Sequence, residues 1–159
     1  MVTAAGGLAR LRAFLDENAV EYTVVSHSAA LTAQHRAEML DLPGAQVAKV
    51  VMARTGGGMV MVVLAAPHDV VLSRLAKAIG GEVSVAHEEE FTPLFPDCDP
   101  GAMSPFGNLY GMRVYVDERL AAQPTVAVPA GTYKESITLP FADFEHLVNP
   151  VLGVFGNDG

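Results

Sequence analysis

A chain of 159 residues with a formal net charge of −8 is long enough for one domain with a sizeable core, and too acidic to hold DNA or RNA on a broad basic surface. That balance leaves room only for a local grip on one end of a nucleic acid. Half the residues are hydrophobic, yet charges or turn formers interrupt every apolar stretch before the roughly 18 residues of a membrane span, so no membrane partner is expected.

The first residues lack a basic segment leading into an apolar run, and Arg10, Arg12 and Asp16 fall where an export signal needs unbroken hydrophobes. The single cysteine, Cys98, has no internal partner, which fits a reducing, cytoplasmic setting. Leu8, Leu11, Phe14 and Leu15 recur at helical spacing after Thr3, a capping residue type, and predict an amphipathic helix. Val20, Tyr22 and Val24 alternate with Glu21 and Thr23, which reads as a strand. Thr32 is placed to cap a helix through Ala33, Ala37 and Leu40 that Pro43 and Gly44 stop.

Residues 46–54 and 59–65 are apolar, β-rich runs joined by Thr55, Gly56, Gly57 and Gly58, the pattern of a hairpin with Lys49 in its first arm. Asp69 is expected to cap a helix through Val71, Leu72, Leu75 and Ile79, ended by Gly80 and Gly81. A strand at 82–86, an acidic helix from His87 and a Pro-rich loop over 93–107 follow. Strands at 113–117 and 125–128, a turn at Gly131, a strand at 135–139 and a helix at 141–148 complete the pattern. The interspersed elements do not form a regular βαβ succession, so an α/β chain of mixed α+β type is expected: one domain over 1–150, a mixed β-sheet flanked by helices, with a short, loosely held tail at 151–159.

Lys49 stands among Val47, Ala48, Val50, Val51 and Met52, and a buried, unpaired ammonium is costly. Three resolutions are open: a salt bridge, snorkelling at the sheet edge, or a ligand that supplies the counter-charge. The loop 99–107 combines glycines that allow close backbone approach, prolines that restrict the chain and Phe106 as a wall for a ligand; the alternative is a rigid connector. The five histidines fall into no metal-ligand spacing, and neither a cofactor nor a metal is expected. Asp97 and Asp99 flank Cys98 and disfavour its thiolate, so it is not read as a nucleophile.

Tyr22, His27, Thr32 with Ala33, Ala48 with Lys49 and Val50, the run from Pro100 to Gly107, Val116 with Asp117, Ala130 with Gly131, and Ser136 with Ile137 occur in an order that resembles the YbaK/prolyl-tRNA-synthetase-associated family. The resemblance extends from about Leu8 to Asn149, and the lysine together with Gly101 and Pro105 is its most specific part. It implies a fold of the editing-domain type and a trans-editing hydrolase acting on the ester of a tRNA mischarged with a small amino acid such as Cys, Ala or Pro. It further implies Lys49 as the essential residue, as anchor or as base, and substrate contacts from Tyr22, His27, Gly101, Ala102, Met103, Ser104, Pro105, Phe106, Gly107, Gly131 and Ser136. The implied partners are the acceptor end of aminoacyl-tRNA and an aminoacyl-tRNA synthetase. Tyr133 and Lys134 add bulk and charge beside Gly131, so the preferred amino acid stays open. A non-catalytic binding module of the same fold and a general small-ester hydrolase are the competing readings.

Overall fold

In the computed structural model, which describes residues 5–158, helix α1 (Ala5–Glu17) buries Leu11 and Leu15 and leaves Arg10, Arg12 and Asp16 outside. Thr3, expected to cap it, lies outside the described residues. Strand β1 (Thr23–Ser26) starts at Thr23 rather than Val20, because the amide of Val20 closes the end of α1 on the Leu15 carbonyl. Helix α2 (Ala33–Leu40) is capped by Thr32, whose Oγ1 accepts from the His35 amide at 3.0 Å. It stops before Pro43 and Gly44, where Asp41 takes a left-handed φ of 54°.

Strands β2 (Ala48–Thr55) and β3 (Gly58–Ala65) form the expected hairpin, with Lys49 opposite Leu64. Helix α3 (Leu72–Ile79) begins after Val71 instead of being capped by Asp69, whose carboxylate is engaged by Lys49. Strand β4 (Val83–Val85) leads into α4 (Glu88–Phe91), where Glu90 accepts from the His87 amide at 2.9 Å. Strand β5 (Val114–Asp117) is followed by an unanticipated single turn, α5 (Glu118–Ala121), started by the Asp117 side chain. Strands β6 (Thr125–Pro129) and β7 (Glu135–Pro140), helix α6 (Phe141–Val148) and strand β8 (Val151–Gly153) complete the chain. No helix among the described residues is long and apolar enough to cross a membrane.

The sheet is built in two pieces. One is antiparallel, in the order β1-β7-β6; the other is mixed, in the order β4-β2-β3-β5-β8, with β3/β5 and β5/β8 parallel. A parallel bridge between Val47 and Ala127 joins them just before β2. Because strand side chains alternate, β2 serves two faces. Ala48 and Met52 join the larger core with Leu11, Leu15, Phe106 and Phe144, while Ala53 joins Leu64, Leu75, Tyr115 and Phe155 on the other face.

The tail expected to be loosely held is part of the sheet. β8 pairs with β5 from Tyr115 opposite Val151 to Asp117 opposite Gly153. Phe155 is only 2% exposed, a burial that contributes roughly 2 kcal/mol. The alternation in 151–153 is too short to stand out in sequence, and a parallel partner far back in the chain leaves no local signature.

Candidate functional site

Lys49 and Gly101 meet at one cavity of about 280 Å³, whose wall also includes Ala30, Leu31, Thr32, Ala33, Arg36, Ala48, Val50 and Pro129. The start of α2, the start of β2 and the end of β6 converge there. Alanine at 30, 33 and 48 leaves the space, and Gly101 turns through a left-handed φ of 82° that favours glycine. An adjoining depression of about 300 Å³ shares Thr32, Ala33 and Lys49. A broader one of about 700 Å³ on the far end of α2 is lined by Glu38 and Asp41 with no cation, which disfavours an anionic ligand.

The Lys49 ammonium donates to Asp69 Oδ1 at 2.6 Å and to the His68 carbonyl at 2.9 Å. Its side chain keeps 30% exposure, so the salt bridge and an opening onto the cavity coexist. The Asp69 side chain is 76% exposed, and the hydrogen bond and charge of Lys49 hold its carboxyl below the ordinary range.

Arg36, absent from the sequence-based site, is the second cation at this wall and is 3% exposed. It donates to Ser136 Oγ and the Glu135 carbonyl, each at 2.8 Å, and to the Thr132 carbonyl at 3.3 Å. No carboxylate pairs with it among the described residues. Burial lowers the guanidinium to about 10, which leaves it charged at neutral pH. Its one sequence signal is position: it sits between Ala33 and Ala37 on the face of α2 that packs inward.

His27 lies behind Arg36. Its Nδ1 is 2.8 Å from the Ser28 carbonyl, which can only accept, so Nδ1 carries the proton and Nε2 accepts from the Ser136 hydroxyl at 2.8 Å. This serine-histidine contact was not visible in sequence because the partners are far apart in the chain. Ser136 is 0% exposed, which bars a substrate carbonyl from its hydroxyl. The contact ties β1 to β7.

The remaining expected contacts lie elsewhere. Ala102, Met103, Ser104, Pro105, Phe106 and Gly107 are all buried, and none lines the cavity. Phe106 packs edge-on against Phe14 and Phe144, with ring centroids at 6.1 and 5.1 Å; the loop is a core plug from which Gly101 alone reaches the cavity. Gly131, at φ 94°, donates to the Ala102 carbonyl and accepts from the Asp99 amide, both at 2.8 Å, and a Cβ there would lie 3.1 Å from the Leu8 nitrogen. It locks the loop onto α1. Tyr22 donates to Asp16 Oδ1 at 2.8 Å, and Tyr133 to the Pro100 carbonyl at 2.6 Å; neither lines the cavity, nor does exposed Lys134. Burial pushes the Cys98 thiol up to about 11, consistent with an unreactive cysteine.

Residues 27–147 match the family model of the aminoacyl-tRNA editing domain. The chain is 30% identical over 149 residues to the Multifunctional Ser/Thr-tRNA deacylase ProXp-y of Escherichia coli (strain K12), covering 90% of this chain and 89% of that one. A solved structure described as a candidate trans-editing enzyme for prolyl-tRNA synthetase superposes with a TM-score of 0.82 at 19% identity, covering 95% of this chain and 97% of the other. A computationally designed epitope scaffold superposes with a TM-score of 0.84 at 18% identity, over 96% and 98% of the two chains. At such identities the two structures speak for the fold alone.

Proposed function

The chain belongs to the aminoacyl-tRNA editing domain family, and on that premise we propose that it is a trans-editing deacylase, a hydrolase of the ester that joins a small, wrongly attached amino acid to the terminal adenosine of a tRNA. The observation that carries this reading is the cavity common to Lys49 and Gly101. Lys49 receives an oxygen of the acceptor end, phosphate or ester carbonyl, and fixes the ester in place. Its present partner, Asp69, is exposed and screened, so the exchange costs little. No acceptor holds the Gly101 N–H among the described residues, which leaves it available to the carbonyl oxygen as negative charge develops there.

In the reaction, the oxygen of water bonds to the ester carbonyl carbon and the resulting tetrahedral species breaks its bond to the ribose oxygen. That oxygen takes up a proton, leaving free amino acid and intact tRNA. No protein nucleophile enters, in keeping with the sealed Ser136 hydroxyl. Alanines at 30, 33 and 48 favour a small acyl group, of the Cys, Ala or Pro class or, as the name of the Escherichia coli relative suggests, Ser or Thr. The net charge of −8 supports leaving selection of the tRNA body to a synthetase partner while this domain reads the aminoacyl end.

The test is release of amino acid from tRNAs charged correctly and incorrectly with Ser, Thr, Cys, Ala and Pro, and from simple amino-acid esters. Wild type is expected to deacylate at least one mischarged tRNA, with Lys49→Ala slower by about a hundredfold. Absence of turnover on every tRNA would leave the non-catalytic module as the better reading, and equal turnover of simple esters the general hydrolase.

A further inference from the structure

The two oxygens that hold Lys49 both belong to the segment 68–69, and that segment is itself held from the far end of the chain. The Asp69 amide donates to Asn157 Oδ1 at 3.0 Å, and the Asn157 amide returns a bond to the Asp69 carbonyl at 2.8 Å. Next to this pair, Val70 and Gly156 form an antiparallel bridge, and the Val71 amide donates to the Phe155 carbonyl at 2.7 Å. Residues 155–157 therefore form a clasp over the stretch between β3 and α3.

The clasp has its own foundation. The Asp117 carboxylate, 0% exposed, accepts from the Phe155 and Gly156 amides at 3.0 and 2.9 Å. Arg119 donates to the same carboxylate and to the carbonyls of Gly156 and Asn157, at 2.9 and 2.8 Å. Phe155 fills the core beneath, edge-on to Tyr115. A Cβ on Gly156 would stand 3.0 Å from the His68 Cβ and from the Arg119 guanidinium, so the turn sits directly against the residue whose carbonyl receives Lys49.

Arranged this way, a stretch that by itself is an exposed connector becomes a fixed support. We propose that residues 155–157 are a positioning element for Lys49, holding His68 and Asp69 so that their oxygens present the ammonium to the cavity. Asn157 is the positioning residue, acting through Asp69, and touches no substrate. The proposal rests on the deacylase reading for its catalytic consequence and on the hydrogen bonds alone for its structural one.

The test compares full-length wild type, Asn157→Ala and Asn157→Asp, the last of which keeps the Oδ1 that accepts from Asp69. Two readouts are taken: the Asp69 carboxyl titration followed by NMR, and deacylation of tRNA charged with serine or threonine, with thermal unfolding to verify the fold. In Asn157→Ala the Asp69 midpoint is expected to rise toward the ordinary carboxylate value and deacylation to fall about fivefold; Asn157→Asp, which keeps the accepting oxygen but whose added charge itself raises the Asp69 midpoint, is expected to restore deacylation alone. An unmoved Asp69 titration in the folded Asn157→Ala protein overturns the clasp, and a moved titration with unchanged turnover overturns its role in catalysis. Wild type without turnover on any charged tRNA removes the deacylase reading, while the titration still decides the clasp.

Discussion

The two cations at the cavity are held in opposite ways. Lys49 has a carboxylate partner and remains partly in solvent, whereas Arg36 is almost fully buried and bound to three neutral oxygens and the His27 ring nitrogen. A partly exposed ion pair is weak and easily exchanged, which suits a group that must release one anion to take another. A buried guanidinium with several acceptors holds structure, because each acceptor loses its donor when the cation goes. The same charge on one wall thus serves exchange at one position and cohesion at the other.

The largest effect that would break this contrast is at Arg36. Arg36→Met strands the acceptors on Thr132, Glu135 and Ser136 and is expected to cost about 3 kcal/mol in a urea titration. A neutral outcome would mean that the guanidinium is retained for a ligand, as Lys49 is, and that the two cations are alike.

A smaller effect distinguishes the supports of the two cations by pH. Burial alone would raise the Asp117 carboxyl, but the Arg119 side chain and the amides of Arg119, Gly156 and Phe155 outweigh it and hold it well below the ordinary range. A carboxyl depressed in the folded state stabilises at pH above its unfolded value of 3.8 and loses that contribution as pH falls below it. Acid unfolding followed by circular dichroism should therefore steepen below about pH 4 in wild type, and Asp117→Asn should show lower stability at neutral pH with a flatter acid limb. Equal acid limbs would separate the clasp from this carboxylate.

The smallest effect on stability belongs to Asp69. Asp69→Asn removes an exposed partner of Lys49 and is expected to leave Tm unchanged by calorimetry, while the salt dependence of tRNA binding increases as the freed ammonium contacts phosphate. A clear drop in Tm would place the Lys49 pair alongside Arg36 as a structural contact.

Much of the fold could be read from sequence, since helix α6 and the β2/β3 hairpin depend on local periodicity and turn chemistry. The Thr32 cap and the acidic turn after His87 follow the same local rules. The site was legible only in part. Lys49 stood out because one charge interrupts an apolar strand, and Gly101 because its loop is rich in glycine and proline. Phe106 misled, since an aromatic side chain in a loop has the same sequence appearance whether it walls a ligand or plugs the core, as it does against Phe14 and Phe144.

What the sequence determined by itself is the local conformation and the presence of a lone cation in a strand, because both are consequences of nearest-neighbour sterics and side-chain alternation. Only the tertiary structure decided the company that cation keeps. Asp69 was free to cap α3 until the 155–157 turn tied its backbone beside Lys49, and Arg36 carried no sign of its buried place until β7 closed over it. Such pairings join residues far apart in the chain, and no local rule carries their geometry.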